Sequence, residues 1–193
     1  MVKSFARDTN LGDVGFDTVR TEAVEDSSGI LETLKRILTT SIVACPITPM
    51  RIPGVGVAIY GGTAAIPECL GTIAQLRVPK RGIIVSATFF DLDDEGSQVD
   101  LEIFKALVTQ NADNAAWTLS AANNPFFITE IAFFAFDDQI ASQTSEVKNI
   151  GKGYTAPDGI LYIQAITRAT PTIAVAPRFQ LQIQSFDPDF EES

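Results

Sequence analysis

The chain has 193 residues, of which 46% are hydrophobic and 20% are charged, a balance typical of a folded globular protein. Its formal net charge of -10 and the lack of a basic cluster argue against a nucleic-acid partner and against an anionic membrane surface. The chain contains no histidine, which excludes Ser-His-Asp and Cys-His catalysis and histidine-ligated metals within this sequence.

The first part of the chain reads as an arm followed by one short helix. Residues 1–26 are polar and acidic with no hydrophobic period, which predicts an extended arm that orders only on a partner. Ser27 and Ser28 can cap a helix of about ten residues, too short to be stable alone in water. Its apolar stripe, the candidate interface, consists of Ile30, Leu34, Ile37 and Leu38. The stripe must dock on its own domain or on a neighbour, and the sequence leaves both open.

From residue 40 onward, prolines exclude long helices, and short β-rich runs alternate with turn residues. The run 160–167 is apolar on both faces, which predicts a central strand. Other predicted strands lie at 72–78, 83–92, 128–136 and 179–183. This pattern indicates an antiparallel sandwich or barrel, and we favour an all-β, jelly-roll-like sandwich. We therefore predict two parts, an arm with a helix at 1–39 and a β-sandwich domain at 40–193 that ends in an acidic tail.

One strand is predicted to have a wet face. In 99–104, Val99, Leu101 and Ile103 alternate with Asp100 and Glu102, so both acids are expected to point into solvent. Residues 94–97 are expected to join this strand to the preceding one as a hairpin, and residues 111–124 to form a long loop.

An acidic motif in the same region nearly matches an EF-hand calcium loop. Its candidate ligands are Asp91, Asp93, Glu95 and Glu102, with Glu95 standing where Asp or Asn is expected. An EF-hand loop lies between helices, whereas both flanks here are strand-like. The sequence therefore favours a plain acidic hairpin, and calcium at its tip stays the alternative.

The remaining residues with reactive side chains indicate no catalytic site and no cofactor. Cys45 and Cys69 lie among apolar neighbours and are interpreted as buried thiols, although a disulfide between them stays open. Trp117 is interpreted as a core residue rather than a sugar-stacking platform. Carboxylate pairs of the glycosidase type cannot be recognised among so many acids. No segment resembles a signal peptide or reaches the roughly 20 apolar residues of a membrane span. We expect a protein that is not an enzyme.

An ordered series of segments within 55–187, about two-thirds of the chain, resembles virion structural proteins of tailed bacteriophages. It starts at Tyr60-Gly61-Gly62, where relatives often carry Tyr-Ala-x-Gly-Asp, and its most distinctive piece is Ala112-Asp113-Asn114-Ala115-Ala116. The other segments are 81–88, 99–104, 158–162, 167–172 and 179–183. Lys105 follows Phe104 where many relatives have Phe-Asp, so any role of that acid does not transfer.

The resemblance implies a β-sandwich virion component that acts by binding. We expect a capsid decoration, or cement, protein that is made in the host cytoplasm and sits on the capsid exterior. Its expected partners are the major capsid protein and other copies of itself, as a homotrimer, with no nucleic acid and no membrane. The alternative is a tail, baseplate or head-fibre component that contacts other virion proteins or the host. The first 50 residues lie outside the resemblance.

Overall fold

A computed structural model describes residues 49–60 and 67–185, and these residues form an all-β fold in which every strand pairing is antiparallel. The strands are β1 (Met50–Arg51), β2 (Ala58–Ile59), β3 (Glu68–Arg77), β4 (Arg81–Asp91), β5 (Val99–Phe104), β6 (Phe127–Phe133), β7 (Asp137–Asp138), β8 (Gln143–Val147), β9 (Lys152–Thr155), β10 (Ile160–Thr167), β11 (Thr172–Ile173) and β12 (Arg178–Ser185). A 3-10 turn at Asn124–Phe126 precedes β6. The predicted strands are confirmed, and β10 is central, as its two apolar faces indicated.

Two larger sheets make up the sandwich. The first sheet has the order β1-β12-β4-β8-β7, and β9 continues the pairing along β4 beyond β8. The second sheet has the order β3-β10-β5-β6, and β2 and β11 form a small separate ribbon.

The strand pairings are nested along the chain. β1 pairs with β12, β3 with β10, β4 with β8 and β9, and β5 with β6. Such nesting is what results when one long antiparallel ribbon is rolled up, and the further pairs β12·β4 and β10·β5 close the roll into two sheets. This is the jelly-roll arrangement of eight principal strands. The predicted jelly-roll-like sandwich is therefore confirmed.

The core lies between the two sheets and follows from the alternation of each strand. Phe179, Leu181 and Ile183 of β12 are buried, while the glutamines between them are not fully buried. From the second sheet, Leu101 and Ile103 of β5 join the same apolar cluster. Residues two apart on a strand share one face, so these side chains meet between the sheets.

Four connections meet at one end of the sandwich, which we call the apical end. They are residues 52–60, 92–98, 134–142 and 168–177. Hydrogen bonds join them: Tyr60 N donates to Pro171 O (3.0 Å), Arg168 N to Gln98 O (3.0 Å), and Gln143 Nε2, at the base of the third connection, to Asp94 O (3.4 Å). The connection 92–98 carries the chain from β4 in the first sheet to β5 in the second. The expected hairpin at 94–97 is therefore wrong, because the two strands it joins lie in different sheets.

Several predictions fall outside the described residues. They are the arm, the helix with Ile30, Leu34, Ile37 and Leu38, the boundary between 39 and 40, Cys45, and the acidic tail after Ser185. Within 49–60 and 67–185, no helix has the length and apolar character that crossing a bilayer requires.

Candidate functional site

The outer face of the second sheet carries a second apolar cluster beneath a long connection. Residues 105–126, which we call the cover loop, lead from β5 to β6 and bring Trp117 onto this face. The cluster contains Cys69, Phe104, Val108, Trp117 and Ile166. The ring centroids of Phe104 and Trp117 are 6.2 Å apart. The prediction that Trp117 is a core residue is confirmed, although the core it joins lies outside the sandwich.

Backbone hydrogen bonds fasten the cover loop to the start of β3. Asn114 N donates to Cys69 O (2.9 Å), Cys69 N to Ala115 O (2.8 Å), and Trp117 N to Pro67 O (2.8 Å). The loop therefore behaves as an added strand edge at this point, which explains why a segment rich in polar residues stays close to the sheet. The sequence predicted a long loop at 111–124 and missed its attachment.

Asp113 of the cover loop anchors the loop to two further segments. Its Oδ1 accepts hydrogen bonds from the Tyr60 hydroxyl (2.9 Å) and from Gly71 N (2.7 Å). Burial, and then the hydrogen bond to Asp113, raise the pKa of Tyr60 above its ordinary value, so the phenol stays protonated and acts as a donor. Asp113 lies in the most distinctive segment of the sequence resemblance, yet no pattern in the sequence connected it to Tyr60 or Gly71.

Glu102 is the carboxylate at the centre of this face, and only 8% of its surface is exposed. Its Oε1 accepts a hydrogen bond from Trp117 Nε1 at 2.9 Å, while its Oε2 has no partner. Burial raises the pKa of Glu102 above its ordinary value, and this effect outweighs the hydrogen bond from Trp117, which acts in the opposite direction.

Gln164 faces Glu102 across the β5–β10 ladder. It lies where the β10–β3 register shifts, since Ile163 pairs with Ala74 and Ala165 with Leu70. The Gln164 Nε2 group fills this irregularity by donating to Gly71 O (3.2 Å) and to Ala165 O (2.8 Å). Its Oε1 is buried without a partner.

Arg168 supplies the positive charge of this face. Its guanidinium pairs with Asp100, which is 1% exposed, and with Glu130 of β6 at 3.2 Å. The hydrogen bond to Asp100 raises the pKa of Arg168 above its ordinary value. The ion pair links the end of β10 to β5 and β6.

The expectation that Asp100 and Glu102 point into water is wrong. All six residues of β5 are buried. The alternation does separate two faces of β5, but the face opposite the sandwich core is covered by Trp117 and by Arg168, which come from distant parts of the chain. Alternation identifies two faces and does not reveal that a later loop covers the second one.

The four candidate calcium ligands do not converge. Asp91 accepts from Asp93 N (3.1 Å) and Gly96 N (2.8 Å), which closes the turn after β4. Asp93 Oδ2 accepts from Ala174 N (2.8 Å) and Val175 N (2.7 Å). Glu102 accepts a hydrogen bond from Trp117 at the outer face of the second sheet. Among the residues that the structure describes, no group of three or more His, Cys, Asp or Glu could hold a metal ion.

Cys69 is buried in the apolar cluster of the outer face and is not in a disulfide. Burial raises the pKa of its thiol to about 12, and nearby carboxylates add to the effect. The prediction of a buried thiol is confirmed for this residue.

Exposed large apolar side chains gather at the apical end. Among the described residues they number seven, and five belong to the apical connections: Val57, Ile59, Phe134, Ile140 and Val175. Ile140 is 94% exposed and has a φ of +77°, a conformation that β-branched residues rarely adopt. The hairpin that carries it is fixed by hydrogen bonds from Ile140 N to Asp138 Oδ1 (2.7 Å) and from Gln139 N to Ser142 O (2.9 Å).

The same connections also carry acidic residues. Asp94, Glu95, Asp137 and Asp138 lie in the apical connections, whose basic side chain, Arg168, is already paired with Asp100 and Glu130. The apical connections can therefore offer exposed apolar side chains together with negative charge, a combination that suits a protein-binding surface.

Neither a protein-family model nor a curated protein sequence matches the chain. Among solved structures, a recombinantly expressed latent aurone synthase (polyphenol oxidase) matches 70% of this chain with 12% sequence identity and a TM-score of 0.30. The chain spans 30% of the length of that protein. A likeness at this TM-score supports no inference about activity.

Proposed function

We propose that this chain is a structural protein of a tailed-phage particle, a decoration protein that binds the exterior of the capsid and stabilises the shell. The observation that carries the proposal is the apical end, where five large apolar side chains are exposed on connections that also carry acidic residues. Soluble proteins seldom expose such a group without a partner to cover it. The jelly-roll sandwich supports the proposal as well, because this architecture is common among viral capsid domains.

The proposed mechanism is binding without chemistry. Apolar area buried at the apical end would supply most of the free energy of binding, and the acidic residues of the apical connections would favour a shell surface that presents Lys and Arg. The partners that we propose are the major capsid protein and neighbouring copies in a homotrimer. The N-terminal segment would add affinity by ordering on its neighbour, since a segment that folds on docking can cover a large surface.

The apical surface can be tested with substitutions that leave the fold intact. We expect Ile140→Ser combined with Phe134→Ser to weaken binding to undecorated capsids at least tenfold, because both side chains are exposed and would lose buried apolar area. Co-sedimentation of the purified protein with capsids measures this. Leu107→Ser is the control, since Leu107 is also a large apolar side chain that is exposed but lies on the cover loop. Equal binding by the apical variant and the control would contradict the assignment of this surface.

The N-terminal segment is tested by truncation. Removal of residues 1–38 is expected to leave a folded sandwich that no longer decorates capsids. Circular dichroism checks the fold, and co-sedimentation checks the binding. Normal decoration by the truncated protein would remove the segment from the mechanism while leaving the apical surface in place.

The alternative, a tail, baseplate or head-fibre role, predicts a different location for the same protein. Gold-labelled antibodies against the protein should then mark the tail or baseplate of intact particles or, for a head fibre, points that project from the head instead of the whole shell surface.

A further inference from the structure

The outer face of the second sheet holds two buried oxygen atoms that lack partners and belong to directly paired residues. Glu102 and Gln164 are opposite each other in the β5–β10 register, so their Cβ atoms are expected to lie about 4.5–5.5 Å apart. The unpartnered atoms are Glu102 Oε2 and Gln164 Oε1. Two acceptors in a dry site repel each other and leave both groups unsatisfied.

The orientation of Gln164 is fixed by its surroundings. Its Nε2 group donates to two carbonyl oxygens, those of Gly71 and Ala165. Exchanging the amide oxygen and nitrogen would set an acceptor against both carbonyls, so Oε1 stays the acceptor that is left over. Glu102 uses its other oxygen, Oε1, to accept from Trp117. A hydrogen atom on Glu102 Oε2 is what this pair of side chains lacks.

We propose that Glu102 is a neutral carboxylic acid in the folded protein, that it donates its proton to Gln164 Oε1, and that this bond is a pH-sensitive latch for the cover loop. In the neutral form, both oxygens of Glu102 are satisfied, one by Trp117 and the other by Gln164. Ionisation removes the donor, sets a buried charge against Gln164 Oε1 and draws water beneath the loop. High pH therefore loosens the cover loop from the sheet.

The charged groups around Glu102 act in both directions on its pKa. Burial has the largest effect and raises it, and the hydrogen bond from Trp117 lowers it. Glu130 on β6 and Asp100 on β5 raise the pKa, while Arg168, already paired with both of these acids, lowers it.

Two more acids, Asp113 on the cover loop and Glu68 on β3, are close enough to affect the thiol of Cys69 in the same apolar cluster. Burial raises the pKa of Cys69 to about 12, and Asp113, Glu102 and Glu68 add to the effect. Asp113 and Glu68 are both acids, so neither favours the ionised form of Glu102. Among the described residues, Arg168 is the one cation acting on Glu102, and it does so from its place between Asp100 and Glu130.

The raised pKa of Glu102 makes the stability of the fold depend on pH. A carboxyl whose pKa is higher in the folded state than in the unfolded chain stabilises the fold below the unfolded pKa, and the contribution is lost as pH rises toward the folded pKa. Glu102→Gln imitates the neutral acid, because its amide oxygen can accept from Trp117 and its amide nitrogen can donate to Gln164. We therefore compare the equilibrium constant for unfolding of the unmodified protein with that of Glu102→Gln. The ratio of the first constant to the second should rise by up to about tenfold for each pH unit above about pH 4.5, until the pH reaches the pKa of Glu102 in the folded protein.

Trp117 is the single tryptophan of the chain and reports on the latch. In the unmodified protein, its fluorescence emission should shift to the red as Glu102 ionises, and the shift should be absent in Glu102→Gln. Glu130→Gln is the matched control, since Glu130 pairs with Glu102 across the ladder but is exposed. The Glu130→Gln variant should keep the red shift of the fluorescence, with its midpoint at a slightly lower pH, because Glu130 raises the pKa of Glu102.

The protonation state of Glu102 can also be measured in the unmodified protein, which tests the proposal even if Glu102→Gln folds poorly. The carbon-13 shift of the Glu102 carboxyl group, measured by NMR at about pH 6, should be that of a carboxylic acid. A carboxylate shift at that pH would overturn the proposal, as would a ratio of unfolding constants that stays flat or falls as pH rises.

Discussion

Gly71 shows how one residue holds three segments together. Its φ is +71°, and a Cβ atom at this position would lie 2.3 Å from Pro53 O. Its N–H donates to Asp113 and its carbonyl accepts from Gln164, so it contacts the cover loop and β10 at the same time. Nothing in the local sequence distinguishes this glycine from those in turns, because the constraint comes from residues far along the chain.

Gly71→Ala should therefore destabilise the fold by about 2–4 kcal/mol, through the strained backbone and the clash with Pro53. Urea denaturation measures this. Gly153→Ala is the control, because a Cβ at Gly153 meets nothing within 4 Å and its φ is not positive. The control should change the free energy of unfolding by less than about 1 kcal/mol. Similar losses for both variants would contradict the role given to Gly71.

At the scale of elements, alternation located the strands but did not reveal what covers them. The polar residues of β12 mark its outer face correctly, since Gln182 is exposed between buried Leu181 and Ile183. On β5 the same reasoning was wrong, because Trp117 and Arg168 cover Asp100 and Glu102. The cover loop is irregular, and a sequence period carries no information about where an irregular segment docks. The candidate site was missed for this reason, although its residues lay in recognised segments.

The ion pair of Arg168 is the element-scale contact that can be tested directly. Arg168→Ala leaves Asp100 buried without its cation, and we expect a loss of about 3 kcal/mol in the free energy of unfolding near neutral pH. Lys148→Ala is the control, since Lys148 pairs with Glu146 at 3.0 Å in an exposed position. That loss should stay below about 1 kcal/mol. The interpretation fails if the two substitutions cost the same.

At the scale of the molecule, the jelly roll separates two kinds of surface. The cover loop closes the outer face of the second sheet, whereas the apical connections leave Ile140 and Phe134 exposed. The fold class could be predicted because strand and turn patterns are local. The nested strand order and the apical surface depend on which distant connections meet, so the residues of that surface could not be identified from the sequence.

We propose that this protein binds the exterior of a phage particle through its apical end. Cryo-electron microscopy of intact particles at a resolution that shows strands tests it most directly. We expect sandwich-shaped density on the outside of the capsid, with the Ile140 hairpin against the shell. Density at the tail, or on the capsid with the apical end facing solvent, would contradict it.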